Sequence, residues 1–315
     1  MLSALRNIFE SKSKTRDSEL FHSRFGGLWI DRVDAHAELA RRLESGQLSS
    51  ALGERVKHFM DNGFVVLEGA VPVELVDRLA SVIATAYAQG DERLRYHTDG
   101  TEHLILQPNT DPSGKRIIEA HAVLAEIREA LSTPAILEFL KAIFEEAPVL
   151  TQSLTFQEGS QQGLHQDTAY VVYNEPLKLA ASWIALEDIE EGSGELRYVV
   201  KSHRLPDFPF SNARKDSHGV PTEEVNRYLS WLSSQSAQSG LQEQTFLAKK
   251  GDALIWHADL AHGGAAIKKE GSTRQSLVGH YCPASVLPKY ERAQTRRKHG
   301  PLTYSTYLYD LNELD

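Results

Sequence analysis

The segment Gly163-Leu164-His165-Gln166-Asp167-Thr168 carries an imidazole and a carboxylate two positions apart, and Ala261-His262-Gly263-Gly264 supplies a second imidazole about a hundred residues later. Residues i and i+2 share one side of an extended segment, so His165 and Asp167 can reach one ion together. Two imidazoles and one carboxylate cap one face of an Fe(II) ion and leave three positions open, the ligand set of non-haem iron oxygenases. Arg274-Gln275-Ser276 follows twelve positions after His262. A guanidinium there could clamp the far carboxylate of a dicarboxylate co-substrate at two points, which a lysine cannot do. Ser276 shares the strand face of Arg274 and could add a hydroxyl donor; the competing reading of Arg274 is a surface arginine after a Gly-Ser-Thr turn.

His-x-Asp spacing alone is weak. His97-Thr98-Asp99 repeats it, His36-Ala37-Glu38 is a close variant, and His257-Ala258-Asp259 lies beside His262. The first of these, followed by Gly100, reads as a turn. The third is the real competitor and is expected to act behind the ligands or toward substrate. What singles out His165 is its context, a polar turn-prone run from Gln157 to Gly163 with strand-like patterns on both sides.

Three blocks in order resemble the phytanoyl-CoA dioxygenase family of Fe(II)/2-oxoglutarate-dependent oxygenases, over roughly Gly63 to Pro283. They are His165-Gln166-Asp167; Ser182 to Asp188 with Gly192-Ser193-Gly194-Glu195-Leu196 and Ser202-His203; and Gly251 to His257 leading to His262-Gly263 and Arg274. The resemblance implies Fe(II), 2-oxoglutarate and O2 as cofactor and co-substrates, with succinate and CO2 released as an unactivated C–H bond is hydroxylated. It selects His262 over His257 as the distal ligand, places Trp183 beside the co-substrate and turns Gln152 toward the active site. A plain core tryptophan and a solvent-facing glutamine are the competing readings. Lys201 replaces the family's usual glycine, Gln157 and Glu158 occupy a neighbourhood that is often basic, and Gly264 stands where some members place serine. Related halogenases open a chloride site with a small residue in place of the carboxylate, so Asp167 favours hydroxylation.

The elements that must position these groups follow from composition and periodicity. A chain of 315 residues, 41% hydrophobic and 24% charged, can bury a sizeable core as one domain. A net charge of −9 argues against a general affinity for nucleic acid. The single cysteine, Cys282, excludes an internal disulfide and fits a reducing compartment, and we assign the cytoplasm. No run approaches the roughly 18 apolar residues of a membrane span. Leu2, Leu5, Ile8 and Phe9 have helical spacing, which suits an N-terminal helix better than a peripheral membrane anchor.

Helical periodicity runs from Asp34 to Met60 with a break at Gly46, from Pro72 to about Ala88, from Glu119 to Leu131 and from Pro134 to Phe144. Strands are expected at 63–67, 103–106, 149–156, 178–189, 195–200, 244–248, 253–256 and 275–281. The resulting fold is α+β with a mainly β core, a double-stranded β-helix (jelly roll, cupin-like) buttressed by N-terminal helices. The expected organisation is one oxygenase domain over 1–315. It has a helical extension at 1–62, a core at 63–283 with a lid-like insertion at 203–243 containing a helix from Thr222 to Ser239, and a tail at 284–315.

The substrate is expected to be a small or carrier-linked metabolite. Positive charge at His203, Arg204, Arg214, Lys215 and His218, and again at Arg292, Arg296, Arg297, Lys298 and His299, could attract an anionic one, but solvated loop charge is the default reading. Tyr304, Tyr307 and Tyr309 alternate too loosely to separate packing from substrate contact. Two further readings share the architecture: a cupin-like metal enzyme that does not use 2-oxoglutarate, and a non-catalytic jelly-roll binding protein.

Overall fold

The computed structural model describes residues 20–97, 102–290, 293 and 295–314. The N-terminal amphipathic stretch, the Thr98-Asp99-Gly100 turn and Arg292 lie outside them. Six α-helices are formed among the described residues: α1 Ala35–Glu44, α2 Ser50–Asn62, α3 Val73–Gln89, α4 Ala125–Ala130, α5 Pro134–Phe144 and α6 Thr222–Gln238. The strands are β1 Phe64–Leu67, β2 Asp91–His97, β3 Leu104–Leu106, β4 Arg116–Ile118, β5 Pro148–Phe156, β6 Ala180–Ala185, β7 Leu196–Val199, β8 Glu243–Phe246, β9 Ala253–His257, β10 His262–Gly264, β11 Ser276–Pro283, β12 Arg297–His299 and β13 Leu302–Tyr304.

They make a jelly roll of two sheets. The larger runs in the order β1-β9-β6-β11-β5-β4-β2-β3, and the smaller in the order β10-β7-β8. Period-two alternation sorts each central strand between two cores. On the outer face, Val65, Ile184, Ile255 and Leu277 pack beneath the N-terminal helices, against Phe59, Leu79, Ile83 and Phe139. On the inner face, Trp183, Leu254, Trp256 and Val278 meet Leu196, Tyr198 and Phe246 of the smaller sheet. Truncating a ring such as Phe139 to alanine would cost roughly 3–5 kcal/mol. The helices therefore buttress one face of the larger sheet, and the other face is free to build a site.

The expected helix from Glu119 begins later, at Ala125. Glu119 takes a left-handed φ of 56° and is completely buried. Its carboxyl accepts the Ser153 N–H at 3.3 Å and the Tyr307 N–H at 3.2 Å, tying the C-terminal segment to β5. Within the segment expected as a tail, 284–315, β13 pairs parallel with β5 and so joins the larger sheet.

Burial pushes the Glu119 carboxyl up to about 8, against the opposing bonds from Thr306, Tyr307 and Ser153. Between about pH 4.5 and 8 the folded protein holds a proton that the unfolded chain releases, so this contribution to stability is lost as pH rises through that window. In urea titrations, Glu119→Gln is expected to reduce the loss of stability between pH 5.5 and 8 by on the order of 1 kcal/mol per pH unit. An unchanged pH slope would mean that Glu119 is ionised throughout.

Candidate metal and co-substrate site

His165 and His262 face each other across an antiparallel bridge. The His165 N–H donates to the His262 carbonyl at 2.9 Å and the reverse bond is 3.0 Å, which brings the two rings to 4.4 Å. In each ring Nδ1 lies against the carbonyl two residues back, Gly163 O at 3.0 Å for His165 and Leu260 O at 2.9 Å for His262. A carbonyl only accepts, so each Nδ1 carries the proton and each Nε2 keeps its lone pair. Ligand atoms of His165, Asp167 and His262 all lie within 4.8 Å of one another.

The Asp167 carboxylate is divided between two tasks. Oδ2 accepts the Trp256 indole N–H at 2.7 Å and stands 3.4 Å from His280 Nε2, while Oδ1 stands 3.6 Å from His262 Nε2. Burial raises the Asp167 carboxyl, but His262, His280 and His165 more than offset it and hold it well below the usual carboxylate range. Burial and the neighbouring His262 push His165 down to about 3, so its ring is neutral. Two imidazoles that each present Nε2, with one carboxylate, fit a divalent iron ion.

A ring of buried contacts holds the loop that carries these groups. The Gln166 side chain donates to Asp259 O at 2.7 Å, and Thr168 Oγ1 donates to Asp259 Oδ1 at 2.6 Å. The Gln166 N–H meets Tyr228 Oη from α6 at 3.2 Å. His257 bonds Asp31 at 3.1 Å and accepts the Asp259 N–H at 3.0 Å. His257-Ala258-Asp259 thus supports the loop from behind. Ser202 Oγ accepts the Ala261 N–H at 2.7 Å, so the Ser202-His203 turn anchors the approach to His262, and Lys201, in glycine's place, takes a φ of 68°.

Arg274 lies in the same cavity, about 70 Å³ in volume, with Trp183, Phe156, Val278 and the three candidate ligands. Arg274 is 3% exposed, and its guanidinium packs 5.4 Å from the Phe156 ring and 5.6 Å from the Trp183 ring and donates to Ser276 Oγ at 2.7 Å. Its Nε, the Trp183 Nε1 and the His280 Nδ1 are buried without a hydrogen-bond partner. No carboxylate among the described residues forms an ion pair with Arg274, so the chamber presents donors that a bound dicarboxylate would satisfy. Desolvation pulls the guanidinium down to about 10, opposed by Glu187 and Glu195.

Of the residues expected at the site, the structure brings together His165, Asp167, His262, Arg274, Ser276 and Trp183. Gln152 does not line the cavity; it pairs with His280 in register and is hydrogen-bonded to Tyr307. The residue that follows toward the N-terminus, Thr151, is skipped in the pairing of β5 with β11, and this bulge shifts the face of β5 there. Trp256, His280 and Arg116 line the cavity although spacing did not single them out. Only strand register reveals them.

The lid cations were candidates for substrate contact, with solvated charge the default reading, and internal carboxylates hold most of them. Arg204 bonds Asp31 at 3.2 Å, Arg214 bonds Asp216, and Lys215 is buried between Asp207 and Asp259, both at 2.7 Å. His203 is buried and bonds Met60 O, and His218 stands 3.9 Å from Asp216. Arg296 and Arg297 donate to backbone carbonyls. Tyr304 is buried. A larger cavity of about 470 Å³ lies among Asp31, His203, Arg204, Asp207 and His257, away from the candidate ligands.

Gly264 has a steric reason. A Cβ there would lie 2.7 Å from Gln161 N and 3.0 Å from Ser160 Oγ, and one on Gly263 would lie 2.6 Å from Gln162 O. Loop 160–163 therefore closes directly over β10, which leaves no room for the serine that other sequences carry.

A sequence profile described as phytanoyl-CoA dioxygenase matches residues 59–276, a span that contains every candidate ligand. Phytanoyl-CoA dioxygenase domain-containing protein 1 of Danio rerio is 24% identical over 260 residues, covering 69% of this chain and 85% of its own. Dioxygenase olcK of Penicillium canescens is 24% identical over 259 residues, covering 77% and 74%. Among solved structures, the non-heme alpha ketoglutarate dependent epimerase SnoN from nogalamycin biosynthesis superposes with a TM-score of 0.55 at 16% identity, covering 76% of this chain and 85% of that one. EctD from S. alaskensis with bound Fe gives 0.54 at 17% identity, covering 77% and 79%. Both share this fold.

Proposed function

The chain belongs to the phytanoyl-CoA dioxygenase family of non-haem iron, 2-oxoglutarate-dependent enzymes, and from that premise we propose that it hydroxylates an unactivated C–H bond of a small or carrier-linked metabolite. The observation that carries this reading is the cluster of three ligand atoms within 4.8 Å, each imidazole with its other nitrogen already occupied. His165, Asp167 and His262 are the proposed iron ligands. Arg274, with Ser276, is the proposed clamp for the far carboxylate of 2-oxoglutarate.

When bound, Fe(II) with 2-oxoglutarate and O2 supplies the oxidising chemistry: the 2-oxo acid becomes succinate and CO2, and substrate C–H becomes C–OH. The chain's own part is geometric and electrostatic. Trp256 fixes one oxygen of Asp167 and leaves the other for the ion. The Nδ1 bonds fix both tautomers, and Phe156, Trp183 and Val278 dry the cavity. Asp167 fills the position that a halide would need, which supports hydroxylation. An unpartnered buried Arg274 Nε favours this reading over an enzyme of the same fold without the co-substrate. A reducing, cytoplasmic setting belongs to the same reading and is supported by the chain's having a single cysteine, Cys282, which is buried and free. Among the described residues no helix is long and apolar enough to cross a membrane.

Anaerobic titration of the purified protein with Fe(II) and 2-oxoglutarate tests the proposal. The weak visible charge-transfer band of the chelate is expected to appear, and O2 is then expected to yield succinate. Iron binding without the band would sink the co-substrate assignment.

A further inference from the structure

We infer that the insertion at 203–243 is a clamp that places Asp167, with Tyr228, Lys215 and Ser217 as positioning residues for metal binding. The inference rests on the reading of Asp167 as an iron ligand and deepens it.

The three proposed ligands are not held alike. His165 and His262 pin each other through the two backbone bonds of their bridge. Asp167 lies outside that bridge and opens a single 3-10 turn, Asp167–Ala169. Three residues of 3-10 helix are too few to hold their own geometry, so the position of Asp167 depends on what grips the residues around it. Trp256 orients the carboxylate from the sheet, but the backbone on both sides is gripped from the insertion.

Three grips converge there. On the N-terminal side, Tyr228 Oη of α6 accepts the Gln166 N–H and donates to Gln166 Oε1, both at 3.2 Å. The other end of that amide donates to Asp259 O at 2.7 Å, so Gln166 is held at three atoms. On the C-terminal side, Ser217 donates twice to Ala169 O, from its N–H at 3.0 Å and its Oγ at 2.8 Å. Between them, Thr168 Oγ1 donates to Asp259, whose other carboxylate oxygen takes the Lys215 ammonium at 2.7 Å. Lys215 is anchored in turn by Asp207, which accepts from Ser23 Oγ and the Arg24 N–H of the N-terminal segment. Burial works against the Lys215 charge, and Asp259 and Asp207 more than offset it. Tyr228 is 2% exposed, and its ring packs 5.4 Å from Phe208 and 5.2 Å from Phe210, so the insertion's own core aims the hydroxyl. Gln166, Thr168 and Ala169 are thus all tied to the insertion, directly or through Asp259, and Asp167 sits among them.

Such an arrangement is reciprocal. If the insertion holds the turn in its metal-binding form, an ion bound there steadies the insertion by the same factor. Affinity for the metal and the order of 203–243 are then one equilibrium.

The test uses the purified full chain and Co(II), a spectroscopically visible substitute for Fe(II) at a site of imidazole and carboxylate ligands. Affinity is read from the visible absorption of bound Co(II), and order from amide hydrogen exchange over 203–243. Tyr228→Phe keeps the ring and its packing and is expected to weaken Co(II) binding roughly tenfold, the usual effect of losing a contact behind a ligand. The affinity of the metal-loaded variant for 2-oxoglutarate is expected to stay that of the wild type, because Phe156 and Trp183 build the Arg274 end of the cavity from other strands. Co(II) is expected to slow exchange in 203–243 of the wild type, and to slow it less in Tyr228→Phe. Lys215→Met strands two buried carboxylates and is expected to lower stability along with affinity, so Tyr228→Phe decides. Unchanged Co(II) affinity in Tyr228→Phe overturns the inference even if its metal-free stability falls, because Tyr228 would then serve packing alone. Exchange in 203–243 that ignores the metal overturns it as well. A wild-type protein that binds no Co(II) defeats the reading of the ligand set, and this inference with it.

Discussion

Asp167→Asn is expected to lower 2-oxoglutarate-dependent succinate formation by roughly three orders of magnitude, about 4 kcal/mol of barrier, and to abolish the chelate band. Asp167 is the only anion among the three proposed ligands, and its environment keeps it ionised. An amide of the same shape can still accept the Trp256 N–H, so the loop held by Gln166, Thr168 and Asp259 is expected to stay in place. What is lost is the charge that balances a divalent ion in a buried site, which no imidazole replaces. The change therefore separates electrostatics from architecture. Thermal unfolding of the metal-free variant should shift by only a few degrees, while iron-dependent stabilisation disappears. Asp167→Ala should add a structural penalty, because it strands the indole N–H that Asp167 now satisfies. Tight iron binding by Asp167→Asn would remove Asp167 from the ligand set.

Much of this site is written locally in the chain, and the rest depends on register. The i, i+2 spacing of His165 and Asp167 and the glycines after His262 describe short segments, so they survive as sequence signals. The helices are equally legible: Pro134 opens α5 and Gly63, at a φ of 86°, closes α2. Trp256 and His280 are different. Every residue of β9 and β11 is buried, on one face by helices and on the other by the site, so the polar/apolar alternation that would tell inside from outside is erased. Only the pairing of Val278 with Trp183 and of Trp183 with Leu254 fixes which side chains look inward. Gln152 was placed toward the site by the resemblance alone, and the skipped Thr151 shifts the face of β5 beside it. The strands β2 and β4 escaped notice because β2, Asp-Glu-Arg-Leu-Arg-Tyr-His, is charged like a loop and buries only Leu94 fully. Charge in sequence says nothing of its partner, and Lys215, read by default as solvated, found two carboxylates.

Arg274→Met is expected to raise the KM for 2-oxoglutarate by at least roughly 100-fold while leaving the stability of the free protein equal or higher. Two charge-assisted hydrogen bonds to a carboxylate are worth on the order of 3 kcal/mol together, and methionine offers neither. The opposite effect on the free protein follows from burial. A base whose folded pKa is lowered, here to about 10 by desolvation, opposes folding at every pH below that value, and the penalty is relieved only above it. At pH 7.5 methionine removes a penalty on the order of a few kcal/mol, offset in part by the lost bond to Ser276, and its thioether can pack between Phe156 and Trp183. With Fe(II) present, 2-oxoglutarate at about a hundred times its Kd should stabilise the wild type by roughly 2.7 kcal/mol and the variant hardly at all. Arg274→Lys should fall between, because an ammonium makes one contact where the guanidinium makes two. Melting curves taken with and without 2-oxoglutarate read both effects in one experiment, and a shift preserved in Arg274→Met would place the carboxylate elsewhere. A buried cation that weakens the empty protein and is needed by the loaded one is the mark of a residue kept for a ligand rather than for the fold.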